Sequence, residues 1–138
     1  HAGNDGAGSG LDADLLDGVQ LAGLPFYNTP FVDSAQVITA NGTLTRAHGL
    51  GIRPRVVQAR LTCINASAGY SPGDEVEYGS GVCYGGGINA GHTIRTDATN
   101  VIVRFGSAAT GYNIQHKVNG NDITVANADW KIIIMAYA

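Results

Sequence analysis

Four histidines, eleven carboxylates, six tyrosines and two cysteines are the side chains from which this 138-residue chain can build chemistry. His1, His48, His92 and His116 show no HxH or HxxxH pair, so a zinc site within one chain is not expected. Three subunits around an axis, each giving His48 or His92, would make a three-His site. The plainer reading of both is a turn or strand histidine, and no metal or cofactor is expected. Glycoside cleavage needs paired carboxylates in a groove. The candidates are Asp74, Glu75, Glu77, Asp97, Asp122 and Asp129. Asp74, Asp97 and Asp122 stand in turn-like sequence, where Asp commonly bonds its own backbone. Gly69-Tyr70-Ser71-Pro72-Gly73 has the GxSxG spacing, but it lies in Gly/Pro loop sequence rather than between a strand and a helix, so no nucleophile elbow is read. Gly79-Ser80-Gly81 and Gly85-Gly86-Gly87 precede no helix opening with Lys-Ser/Thr, so they read as loop glycines. No catalytic residue is assigned and the chain is not read as an enzyme.

Binding is the better use of these residues. Gly79 to Gly91 is a long Gly-rich loop, and long loops in compact domains are usually functional or disordered. It sets Tyr78, Tyr84 and Asn89 among glycines, with Tyr70 in the preceding loop and Tyr112 in a later turn. Tyrosine offers a flat apolar face and a hydroxyl at low entropic cost, which suits sugars and protein epitopes alike. These five residues are the predicted binding set; the bland alternative is that some of the tyrosines only cover a sheet edge. Cys63 falls in an apolar strand pattern and reads as a buried thiol, with a Cys63–Cys83 disulfide as the sharper reading.

The elements that position these residues read as strand, turn, strand. Candidate strands are 35–40, 43–48, 55–64, 75–78, 92–96, 100–105, 112–118, 123–126 and 130–138. In the third, Val57, Ala59, Leu61 and Cys63 face one way and Gln58, Arg60 and Thr62 the other. Val101, Val103 and Phe105 point inward in the same manner. Asn41-Gly42 and Asn119-Gly120-Asn121-Asp122 are hairpin signals. The last segment is apolar on both faces: Trp130, Ile132, Ile134 and Ala136 on one, Ile133, Met135 and Tyr137 on the other. Such a strand is central, or is covered on both sides, here by a neighbouring subunit. Seven to nine short strands at this spacing predict an all-β, antiparallel β-sandwich head over residues 34–138.

Residues 1–33 form a different region. Leu11 to Gly18 predicts one short helical turn, with Asp12 as cap and Gly18 at the C′ position. Its apolar residues Leu11, Leu15 and Leu16, with Leu24 and Phe26 in the following Pro-containing linker, are too few to order the arm alone. The arm is therefore disordered or is ordered against other chains. Those five residues, with Ile133, Met135 and Tyr137, are the predicted subunit interface. The net charge is -3 and the arginines are scattered, which argues against nucleic acid. The longest apolar run, Ile132 to Ala138, is far short of a membrane span, and no signal peptide is read. The chain opens at His1 rather than Met and reads as a piece of a longer protein.

Two stretches carry a resemblance. His1 to Gly18, with Gly3-Asn4-Asp5-Gly6 and Leu11-Asp12-Ala13-Asp14-Leu15-Leu16-Asp17-Gly18, is similar to a motif of tail-fibre shafts and necks in tailed bacteriophages. Ala47-His48-Gly49-Leu50-Gly51-Ile52-Arg53-Pro54, Ala68-Gly69-Tyr70-Ser71-Pro72-Gly73-Asp74-Glu75-Val76, Asp97-Ala98-Thr99-Asn100-Val101 and Asn127-Ala128-Asp129-Trp130-Lys131 resemble C-terminal domains of phage tail proteins. The resemblance implies a homotrimer assembled in the host cytoplasm and carried on the virion. It implies a tip that binds a host polysaccharide or outer-membrane protein. The alternative is a structural trimerisation or capping domain without receptor contact. The strand order is also similar to the H-type lectin sandwich, at fold level only and without a sugar-site motif.

Overall fold

The structure is a computed structural model that describes residues 30–79 and 89–138, with the backbone of two short strands before them. Those strands, β1 (Leu15–Leu16) and β2 (Val19–Gln20), pair antiparallel with Leu16 opposite Val19. They correct the predicted helical turn at Leu15 and Leu16. Asp-Gly between two short apolar runs is a hairpin signal as much as a helix stop, and pairing prevails here.

Two antiparallel sheets hold the rest together. The first is built on β12 (Trp130–Tyr137), which runs against β6 (Val56–Cys63) over eight paired residues, from Trp130–Cys63 to Tyr137–Val56. β7 (Glu75–Glu77) extends it beyond β6. On the other edge of β12, β3 (Phe31–Val32) and β4 (Gln36–Val37) pair one after the other. The strand that is apolar on both sides is thus central in its sheet, as its composition demands. The second sheet has the order β5–β9–β8, from Thr43–Ala47, Asn100–Phe105 and His92–Thr96. A separate hairpin joins β10 (Tyr112–Gln115) to β11 (Asp122–Val125).

Period-two alternation decides what is buried. Leu61, Ile132, Ile134 and Ala136 of the first sheet and Val101 and Val103 of the second are fully buried in one core. Tyr112, Ile114 and Val125 of the hairpin join the same core. An ion pair ties the two sheets at one edge. Asp33, between β3 and β4, meets Arg46 of β5 through two contacts of 2.8 Å. Asp33 is buried and its amide donates to Ile134 O, so the carboxylate is fixed before the guanidinium reaches it.

Asn41-Gly42 does not close a hairpin between the flanking strands. β4 pairs with β12 and β5 with β9, so the dipeptide turns the chain from one sheet to the other. Asn41 sits at φ 56°, its amide donates to Gly106 O, and Gly42 O accepts from Phe105. The Gly42 amide closes the turn locally on Thr39 O, and the other two bonds stitch it to the end of β9. The second signal behaves as predicted: β10 and β11 pair in register, and Gly120 takes φ 71° in the turn.

Candidate functional site

The predicted binding tyrosines fall into three different environments. Tyr112 and Tyr78 are core residues, 1% and 8% exposed. Their rings pack edge to face at 4.9 Å and 81°, with the His92 ring 5.8 Å from Tyr112. The Tyr112 hydroxyl lies 3.3 Å from His92 Nδ1. Burial pushes the Tyr112 phenol up and takes the His92 imidazole down from 6.5 to about 4. Neither tyrosine offers a face to a partner, which corrects their assignment to the receptor-binding set. Tyr112 lies two residues from the core Ile114, and Tyr78 two from Val76, so strand alternation already carried this signal.

Tyr70 is half-buried and has structural work. Its ring meets Trp130 edge-on at 5.5 Å, and its hydroxyl donates to Gln115 O at 3.0 Å. Lys117 Nζ lies 5.7 Å from the ring centroid and 2.6 Å from Asp74. That lysine, then the Ser71 amide, holds the Asp74 carboxyl below its ordinary range. The Ser67-Ala68-Gly69-Tyr70 turn closes by two backbone bonds and seats Gly69 against the His116 ring, where a Cβ would collide. Tyr84 and Cys83 lie outside the described residues, as do Leu11, Leu24 and Phe26. Leu15 and Leu16 are described by backbone alone.

Asn89 is exposed on the rim of a cleft of about 280 Å³ at the end of the β5–β9–β8 sheet. Asn41, Thr93, Arg104 and Ser107 line the same cleft. Gly106 allows it to form, because a Cβ there would run into the backbone of Asn89 and Ala90. Sequence reasoning found Asn89 but not Arg104, which looks like any outward residue between Val103 and Phe105. A second, apolar cleft of about 510 Å³ lies beside β4 and β12, lined by Val37, Ile38, Ile64 and Trp130.

The other reactive side chains are occupied. His48 is buried, accepts from the Leu50 amide at Nδ1 and lies 3.3 Å from Asp97 O at Nε2. Asp97 Oδ1 accepts from the Thr99 and Asn100 amides, which hold its carboxyl low. Cys63 is a buried free thiol whose Sγ donates to Asn65 O at 3.0 Å; burial raises its pKa. Among the described residues no group of three or more His, Cys, Asp or Glu could hold a metal ion.

The predicted interface residues of β12 are only partly uncovered. Ile133 and Tyr137 are half-buried, while Met135 is already buried within the chain, a correction to its expected cover by a neighbour. Val32 and Gln58 flank Met135 in register, and the Tyr137 hydroxyl comes within 3.9 Å of its sulfur. The open apolar surface is instead next door. Val32, Val37 and Val56, each opposite an outward residue of β12, are 58%, 65% and 51% exposed. No helix among the described residues is long and apolar enough to cross a membrane. No protein-family model, curated protein or solved structure matches the chain.

Proposed function

We propose that this chain is the distal receptor-binding tip of a tailed-phage tail fibre. In this reading residues 34–138 are a lectin-like β-sandwich head, residues 1–33 a neck, and the working unit a homotrimer on the virion. The head binds a host surface polysaccharide or outer-membrane protein and performs no catalysis. One observation carries the structural half of the reading. Val32 and Val37 on one side of β12 and Val56 on the other stand exposed, large apolar side chains of the kind that mark contact between chains. Three identical heads on one fibre would then raise avidity without new contacts. The sequence resemblance supplies the viral half.

Soluble protein added before a phage that carries this tip should occupy receptors and lower adsorption. Full adsorption at saturating protein would remove the adhesin role. It would leave the second reading, a trimerisation or capping domain, which the burial of Tyr78 and Tyr112 favours by withdrawing two predicted contact residues.

A further inference from the structure

The outer face of the β5–β9–β8 sheet is polar and basic. Its rows are Thr43–Arg104–Thr93, Thr45–Ile102–Arg95 and Ala47–Asn100. Arg95 and Arg104 are exposed, and Arg53 reaches Thr96 O at the far end through Nε and Nη2. None of the three strands carries a carboxylate, and Asp97 in the β8–β9 turn is already engaged by two backbone amides. Arg95 and Arg104 make no salt bridge among the described residues.

Arg104 stands where this face meets the 280 Å³ cleft, and its guanidinium is held in a particular way. Nη1 donates to Asn41 O at 2.7 Å and lies 3.3 Å from Thr43 Oγ1; Nη2 donates to Asn41 Oδ1. Asn41 can offer both oxygens to one guanidinium because it takes the left-handed backbone, a region open to Asn at modest cost. These contacts use the end of the guanidinium. The Nε hydrogen and the second Nη2 hydrogen, which lie parallel along its side, have no partner among the described residues. That side edge is the fork that takes a carboxylate in two parallel bonds. Asn89, Thr93 and Ser107 around it are neutral donors and acceptors of the type that meet sugar hydroxyls.

We propose that the cleft binds an acidic sugar of the host surface glycan, with Arg104 gripping its carboxylate and Asn41 positioning the guanidinium. The proposal rests on the receptor-binding reading for the source of the sugar, while the cleft chemistry stands on its own.

The test is a titration of the full chain, followed by backbone amide shifts, with methyl glucuronide, methyl glucoside and glucose 6-phosphate. Glucuronide should shift amides at Asn41, Asn89 and Thr93 with a millimolar Kd, and glucoside should not. Arg104→Gln should weaken glucuronide binding at least tenfold while leaving distant amides in place. Should that variant disturb the fold, Arg104→Lys decides, because it keeps the charge and loses the planar fork. Equal response to glucoside, no response to glucuronide, undiminished binding by both variants, or binding of the phosphate alone would each overturn the assignment. A protein that blocks adsorption yet ignores glucuronide refutes the cleft and spares the tip. One that binds glucuronide yet leaves adsorption intact does the reverse.

Discussion

Across β12 the outward neighbours include Val32, Val37 and Val56, each more than half exposed, beside Gln58, Arg60 and Thr62; along β9 they are Thr43, Thr45, Thr93 and Arg95. Both faces arise from the same period-two alternation above one shared core. Burial dictates the inner residues of each sheet and leaves the outer ones to be set by what they touch. Exposed valines on the first face suit contact with another protein surface. A threonine-rich face with two arginines stays in water and meets an anion or hydroxyl groups. Under the proposed function the contrast would separate two tasks, assembly on one side and recognition on the other.

The strongest way to break the comparison is to remove the core that both faces share. Ile134 is fully buried in β12. Ile134→Ala should cost about 2–5 kcal/mol in urea unfolding through lost burial and a cavity. A loss under about 1 kcal/mol would mean that the sheets do not pack on each other there.

Acid should act almost as strongly, from beneath the basic face. His92 is neutral in the fold because burial lowers its pKa from 6.5 to about 4. The unfolded chain takes up a proton below pH 6.5 and the folded chain does so only near pH 4. Stability is therefore complete above 6.5 and falls as the pH drops to 4, by ~3 kcal/mol in all. His92→Phe should flatten that window, and an unchanged pH profile would contradict the buried neutral imidazole. Loss from Asp74 and Asp97, whose carboxyls are held low, belongs to more acidic solution.

Next in size is the ionic tie between the sheets. Asp33→Asn removes a buried charge from Arg46, which is 41% exposed and so partly rehydrates. The expected cost is about 1–3 kcal/mol in the same unfolding assay. A neutral outcome would show that the sheets are joined by apolar packing alone.

Smallest in stability, and most informative about the two faces, is a paired change on the apolar strip. Val32→Lys with Val37→Lys alters exposed positions and should shift stability by under about 1 kcal/mol, roughly 0.5 per site. If these valines form the proposed interface, the variant should nonetheless be a single chain in solution.

Much of the fold was legible because alternation is local. β6, β9 and β12 fall where Leu61, Val103 and Ile132 demand, and the Asn119–Asp122 turn closes the expected hairpin. Partnership was not legible. Nothing beside Asn41-Gly42 reveals that Gly106 anchors it, and nothing beside Arg46 reveals Asp33, although an arginine two residues from the inward Leu44 hints at a hidden carboxylate. The candidate site was legible only at Asn89. Tyr78 and Tyr112 looked like contact residues because their loops were weighed above their strand parity. Arg104 looked ordinary because its distinction lies in Asn41, 63 positions away.

Sedimentation equilibrium of the intact chain at micromolar concentration, beside the Val32→Lys, Val37→Lys variant, tests the shared-assembly claim most directly. The account predicts the mass of three chains for the unmodified protein and of one chain for the variant. A single-chain mass for the unmodified protein would contradict it, since its exposed valines would then face water with no neighbour to cover them.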